Sequence, residues 1–94
     1  MRINGKKRIA AFMKTHPNST SPLRAWTALA ENAVWKMPAD IKQDFASASF
    51  LSNNRVIFNI GGNNFRMVVI AVYVQETLIV SWIGTHAEYS KIKF

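Results

Sequence analysis

The fold is decided by residues 55–74, which read RVIFNI-GGNN-FRMVVIAVYV. Two runs rich in β-branched and aromatic residues flank two glycines and two asparagines, which accept the positive φ angles of a tight turn at little cost. This pattern predicts a β-hairpin with strands over residues 55–60 and 65–74. The second run is almost continuously apolar, which is typical of a central strand covered on both faces.

The sequence after the hairpin predicts a third strand and a short helix. Residues 75–77 turn the chain and residues 78–84 form the strand, so three strands joined by short turns predict an antiparallel meander. The run Thr85-His86-Ala87-Glu88 has the form of a capping box, which opens a helix expected to reach about residue 91. Thr85 and Glu88 are therefore given a structural role.

The half before the hairpin has helical periodicity. Ile9, Phe12 and Met13 fall on one helix face, and a broad apolar stripe follows the Ser21-Pro22 helix start. The elements expected are an edge strand at 1–3, a helix at 5–15, a second helix from 21 closed by Pro38, a short helical turn at 39–45, and a polar loop at 47–54, with Phe50 and Leu51 as apolar plugs. The fold class is thus α+β, with two N-terminal helices packed on a small twisted antiparallel sheet.

Composition narrows the function classes. The chain has 94 residues, enough for one domain spanning 1–94, and is 49% hydrophobic with a net charge of +7 and a pI of about 10.3. An apolar core with a basic surface is a common property of nucleic-acid binders, although an acidic protein partner or an anionic membrane fits it too. The absence of cysteine excludes disulfides and thiolate chemistry. No signal peptide or membrane-length apolar run is seen, and a cytoplasmic location is expected.

Three residues could carry chemistry. Arg66 opens the second hairpin strand, where Arg55 is expected nearby, and His86 and Tyr89 share a face of the C-terminal helix. Arginine can clamp a phosphate, neutral imidazole can accept a proton, and tyrosine can donate a hydrogen bond or stack on a base. Together they could cleave RNA through its own 2′-hydroxyl, with no metal and no cofactor.

Each of these residues also has a purely structural interpretation. His86 could be a surface or capping histidine, Arg66 could protect a sticky strand end, and Tyr89 could pack in the core. Among the other rings, Trp26 and Trp82 are expected in the core. Trp35, near a helix end, could touch a partner, and His16 is expected to be polar loop filler.

Three motifs resemble one known family. Residues 56–68 (VIFNIGGNNFRMV) resemble the FNI-x-GN-x-[YF]-R signature of HigB-type toxins, residues 84–89 (GTHAEY) resemble that family's GTHAEYDKI segment, and residues 35–42 (WKMPADIK) resemble its W-x-x-PADLK segment. Trp26 fits the tryptophan of the family's second helix. The motifs occur in the family's order and spacing along nearly the whole chain.

The resemblance implies a RelE-like fold and an endoribonuclease that cuts translated mRNA in the ribosomal A site. It also implies a HigA-type antitoxin with a helix-turn-helix domain, whose complex with the toxin binds operator DNA. By matching positions, Arg66, His86 and Tyr89 would be catalytic. The expected RNA- and ribosome-binding residues are Lys6, Lys7, Arg8, Lys36, Arg55 and Lys91.

The chain departs from the family pattern at three positions. Ser90 replaces an aspartate, Lys93 replaces a second acid, and Phe65 stands where tyrosine is usual. If the missing aspartate orients the site, activity is weakened or borne differently. An alternative therefore remains, in which a toxin-like module inhibits translation by occupying RNA or the ribosome. A basic membrane-surface peptide is disfavoured by the strand half of the chain.

Overall fold

A computed structural model describes residues 1–92, so Lys93 lies outside the described residues. Helices and strands follow in the order β1 (Arg2–Asn4), α1 (Lys6–Thr15), α2 (Thr20–Asn32), α3 (Pro38–Asp44), β2 (Ser49–Leu51), β3 (Arg55–Ile60), β4 (Phe65–Val72), β5 (Thr77–Thr85) and α4 (His86–Ser90). Short 3-10 turns cover Pro17–Ser19 and Tyr73–Gln75. The α+β class, the leading helices and the short C-terminal helix are confirmed. Among these residues, no helix combines the length and apolarity that crossing a bilayer requires.

The sheet has five strands in the order β1-β5-β4-β3-β2. The predicted hairpin and meander form its antiparallel centre, in which Arg66 of β4 pairs with Asn59 of β3 and with Gly84 of β5. The turn between β3 and β4 uses positive φ angles at Gly61 and Gly62, as the sequence predicts. β1 adds to β5 in parallel and β2 adds to β3 antiparallel.

The expectation of three central strands with a polar loop at 47–54 was incomplete. Part of that loop forms β2, and Phe50 is 39% exposed rather than a buried plug. The edge strand expected at the N-terminus is present as β1. Both outer strands have only three residues, which are too few to show an alternation of apolar and polar side chains. Each forms because it pairs with a longer neighbouring strand, which its own sequence does not reveal.

The second helix also differs from its prediction. α2 begins at Thr20 and ends at Asn32, where Ala33 turns extended, and Pro38 opens α3 instead of closing α2. The Asp40 carboxylate accepts the backbone N–H groups of Lys36 and Met37 at 2.8 and 3.3 Å, which fixes the start of α3. Proline fits the first turn of a helix because its missing N–H needs no partner there.

The core lies between the helices and one face of the sheet. Phe58 packs edge-on against Trp26 at 5.3 Å and Phe45 at 5.2 Å, and Trp35 stacks with it at 6.3 Å. Trp26 is therefore in the core as predicted. The prediction that Trp35 could touch a partner was wrong, because its side chain is buried and its indole N–H donates to Asp44 Oδ2 at 2.8 Å.

His16 is not loop filler. Its ring stacks on Phe12 with the centroids 4.2 Å apart and meets the edge of Phe65 at 5.7 Å. The imidazole therefore continues the aromatic packing between the end of α1 and the start of β4. A histidine that follows a helix and precedes a proline is polar by composition, but its position beside two buried or half-buried rings gives it a packing role.

Candidate functional site

The candidate site lies on the sheet face opposite α1, α2 and α3, which we call the second face. Residues paired across strands share a face, so Asn59, Arg66 and Gly84 stand side by side there. Val68 and Trp82 form the next pair on the same face. Arg66 is half-buried, and its Nε is buried with no hydrogen-bond partner among the described residues.

Arg66 and Tyr89 are in direct contact. The guanidinium carbon of Arg66 lies over the Tyr89 ring, 5.0 Å from its centroid, which is a cation–π geometry. The Tyr89 ring also contacts the Trp82 indole, with centroids 6.0 Å apart and planes tilted by 56°. The planar guanidinium is therefore supported by an aromatic ring, which is in turn supported by a second ring.

The short helix α4 carries Tyr89 to this position. The predicted capping box is confirmed: the backbone N–H of Glu88 donates to Thr85 Oγ1 at 3.1 Å, and the Thr85 N–H donates to Glu88 Oε1 at 2.8 Å. The backbone N–H of His86 donates to the carbonyl of Asn64 at 3.1 Å. These bonds fix the start of α4 against the β3–β4 turn, so a five-residue helix holds a defined angle to the sheet.

The same capping box shifts the acidity of Glu88. The hydrogen bond from the Thr85 backbone N–H, followed by that with the Thr85 side chain, lowers the pKa of the Glu88 carboxyl. Hydrogen bonds to a carboxylate favour its charged form, so the direction agrees with the geometry. The Glu88 carboxylate thus takes part in the cap, which supports the structural role predicted for it.

His86 is the first residue of α4 and its side chain is exposed to solvent. It lies three residues before Tyr89, so the two side chains leave the helix on neighbouring positions. The structure thus brings Arg66 and Tyr89 into contact and places His86 on the same short helix. Ser90, the last residue of α4, donates its hydroxyl to the His86 carbonyl at 3.0 Å.

Arg55 does not lie beside Arg66, and that expectation is corrected. It pairs with Ile70, whereas Arg66 pairs with Asn59, so the two arginines stand four residues apart along the hairpin, about 13 Å at the usual rise per residue. Arg55 instead donates to the carbonyl and hydroxyl oxygens of Ser52 at 2.9 and 3.3 Å. The register set by the four-residue turn places them at opposite ends of the ladder.

The other predicted binding residues are distributed over the surface. Lys7 and Arg8 are exposed on α1, Lys36 is exposed between α2 and α3, and Lys91 is exposed after α4. Lys6 forms an ion pair with Glu31 of α2. Lys7 and Lys36 lie outside the elements that form the Arg66–Tyr89 contact, whereas Lys91 directly follows α4 and Arg8 lines a cavity with Trp82 and Glu88.

Trp82 is the residue that the sequence prediction placed wrongly. Alternation from the buried Val80 would put Trp82 on the core face, but the pairing shifts between Val68 and Val69 of β4, where a bulge leaves Ser81 unpaired. Trp82 is thereby moved to the second face, half-buried, against Tyr89. Ser81, an exposed polar residue between two apolar ones, is a local sign of that bulge in the sequence.

Comparisons with known proteins agree with this architecture. The profile of the family HigB_toxin, described as the RelE-like toxic component of a toxin-antitoxin system, matches residues 19–92. A protein of Escherichia coli O6:H1 (strain CFT073) named mRNA interferase HigB is 24% identical over 94 residues, covering 98% of this chain and 91% of that protein.

The family match includes every strand from β2 to β5, the helices α2 and α3, and the whole of α4 with its contact to Arg66. The match thus covers four of the five strands, the helices α2 and α3 and the residues of the candidate site, and it leaves out β1 and α1. This chain belongs to the HigB family, the RelE-like toxins of toxin–antitoxin systems.

Proposed function

We propose that this toxin is a ribosome-dependent endoribonuclease that cuts translated mRNA in the A site by metal-independent attack of the RNA 2′-hydroxyl. The observation that carries the proposal is the Arg66 guanidinium held over Tyr89, beside the helix that carries His86. The relative named mRNA interferase HigB supports the reaction class.

The three side chains supply what this reaction needs. The 2′-hydroxyl gives its proton to a base, its oxygen attacks the adjacent phosphorus, and the bond to the 5′-oxygen breaks as that oxygen gains a proton. The products are a 2′,3′-cyclic phosphate and a 5′-hydroxyl. His86 and Tyr89 carry the proton transfers, and Arg66 stabilises the charge that develops on the phosphate.

The site is preorganised for this role at Arg66. Arginine presents its N–H donors in a rigid plane that matches two phosphate oxygens, and in Arg66 this group lies over the Tyr89 ring. Fixed donors need no reorganisation when charge develops, which makes them effective in a transition state. In this proposal His86, which is exposed, contacts the bound RNA strand.

The dispersed cations supply affinity in this proposal. Ribosomal RNA and mRNA are polyanions, and each lysine or arginine that contacts a phosphate releases counterions. The residues assigned to this role are Lys6, Lys7, Arg8, Lys36, Arg55 and Lys91. Because Lys6 and Arg55 already bind Glu31 and Ser52, the exposed Lys7, Arg8, Lys36 and Lys91 are expected to contribute most.

As the toxin of a toxin–antitoxin system, the protein has an antitoxin partner. We propose that the partner is of the HigA type with a helix-turn-helix domain, that its contact surface is acidic, and that the complex binds operator DNA through the antitoxin. The net charge of +7 supports an acidic partner surface. We further propose that residues 1–94 act as one domain and that the toxin works in the cytoplasm.

A second candidate function is inhibition by occupancy, in which the toxin binds the ribosome or its mRNA and breaks no bond. Ser90 favours it, because this serine replaces the aspartate of the family signature and directs its hydroxyl to the His86 carbonyl. A carboxylate at this position would lie one helical turn from His86, where it could orient the imidazole.

Primer extension on an mRNA translated in a purified system separates the candidates. New 5′ ends within codons that appear with ribosomes and not with free RNA would support the proposed endonuclease. Cuts in free RNA as well would retain the nuclease and remove the ribosome requirement. Stalled translation without new ends would support occupancy, and His86→Ala would then leave the stall intact.

A further inference from the structure

Gly84 lies beside Arg66 at a point where a side chain has no room. A Cβ atom built on Gly84 would stand 2.4 Å from both Cζ2 and Cη2 of the Trp82 indole and 3.1 Å from Glu88 Oε1. Real Cβ contacts essentially never fall below 3.0 Å. The indole of Trp82 therefore occupies the space that any other residue at position 84 would fill.

The backbone does not explain the glycine. Gly5, Gly61 and Gly62 have positive φ angles, which favour glycine by themselves, but Gly84 has none. An alanine there would strain nothing in the main chain, since any residue adopts extended strand geometry. The clash with the indole is thus the structural reason for glycine at this position.

The indole that Gly84 admits lies against the Tyr89 ring, and the Tyr89 ring lies under the Arg66 guanidinium. An offset or tilted aromatic pair at 6.0 Å restricts both rings. Relieving a 2.4 Å contact to an ordinary one near 3.4 Å moves the indole by about 1 Å, and a displacement of that size in a positioning group can slow a reaction about 100-fold.

We propose that Trp82 is a positioning residue for the proposed RNA cleavage, holding the Tyr89 ring and through it the Arg66 guanidinium, and that Gly84 is the space in which its indole lies. This inference rests on the proposed endonuclease function. It assigns positioning roles, and no role in proton transfer, to Trp82 and Gly84.

The test is a suppressor experiment with ribosome-dependent cleavage as the readout. Gly84→Ala should lower the maximal cleavage rate at saturating toxin about 100-fold and change the half-saturating concentration by less than about threefold. Trp82→Phe lacks the Cζ2 and Cη2 atoms that meet the clash and keeps a ring for Tyr89, so it should retain within about tenfold of the wild-type rate.

The double variant decides the mechanism. If the indole is the obstacle, Gly84→Ala adds nothing in the Trp82→Phe background, so the double variant cleaves faster than Gly84→Ala alone. An equal loss from Gly84→Ala in both backgrounds would overturn the proposal, as would a Gly84→Ala enzyme within about threefold of wild type. A change confined to the half-saturating concentration would also overturn it, because positioning acts on the rate.

A second pair of variants covers a folding defect. If Gly84→Ala alone does not fold but the double variant does, the clash is established, and positioning is judged by Trp82→Leu against Trp82→Phe. If Trp82→Phe cleaves faster than Trp82→Leu and the two variants have equal melting temperatures, positioning by the ring is supported. Equal cleavage rates of the two variants would overturn it. A wild-type toxin that cuts no RNA would refute the proposed function itself. A wild-type toxin that cuts RNA, with additive effects of Gly84→Ala and Trp82→Phe, would refute only this inference.

Discussion

Arg66→Lys tests the candidate site most directly, because it keeps the charge and removes the planar fork. The guanidinium sits 5.0 Å from the Tyr89 centroid on a half-buried side chain, so the contact contributes on the order of 1 kcal/mol to stability. Lysine retains part of that, and the melting temperature should fall by less than about 4–8 °C. Maximal cleavage should fall about 100- to 1000-fold, the usual cost of losing a charge-stabilising donor.

Arg55→Lys is the matched control. Both arginines are half-buried on the same hairpin, about 13 Å apart by their register, and only Arg66 contacts Tyr89. Single-turnover cleavage on programmed ribosomes and thermal melts by circular dichroism should show a large loss for Arg66→Lys and less than about a threefold change for Arg55→Lys. Equal losses in the two variants, or a folded Arg66→Lys toxin that cleaves normally, would refute the reasoning.

Three further outcomes are expected. Because Thr85 lowers the pKa of Glu88, the charged carboxylate stabilises the fold at pH values above its ordinary pKa, and this contribution is lost as the pH falls through the lowered pKa. The difference in melting temperature between wild type and Glu88→Gln should therefore disappear below about pH 4. A difference that persists at lower pH would contradict the role of Glu88 in the cap. Phe58→Leu should cost at least about 1 kcal/mol in urea unfolding because its aromatic contacts are lost, whereas exposed Phe50→Leu should stay within about 0.5 kcal/mol. Lys7→Gln should reduce the salt dependence of ribosome binding by about one phosphate contact with the maximal cleavage rate unchanged, and a changed rate would count against a purely electrostatic role.

The central hairpin could be predicted because its signals are local. A pattern of only a few residues indicates the turn at Gly61 and Gly62, and another indicates the apolar strand β4. The edge strands and the end of α2 could not be predicted as well. The pairing of β1 and β2 is decided by neighbours distant in sequence, and the apolar residues after Asn32 continue the helical stripe although the chain has already turned extended.

The candidate site likewise has features that local sequence patterns predict and features that depend on the tertiary structure. Arg66, His86 and Tyr89 follow from side-chain chemistry and from the family motifs, and the capping box at Thr85 predicts the start of α4 correctly. The contact between Arg66 and Tyr89 depends on the angle between a helix and a strand, which no local pattern states. The face of Trp82 depends on a bulge, where one extra residue reverses the alternation for everything that follows.

The placement of the cations argues for catalysis over occupancy. A toxin that only occupies RNA needs exposed positive charge, and α1 supplies that with Lys7 and Arg8. Arg66 differs from these lysines and arginines, since it is half-buried and its guanidinium lies over the Tyr89 ring, which the Trp82 indole contacts. Restricting a cation in this way lowers its freedom to reach many phosphates and raises its complementarity to one geometry, which assists a transition state more than a bound ground state. The two sets of cations should therefore separate experimentally, with Lys7 governing affinity and Arg66 governing rate.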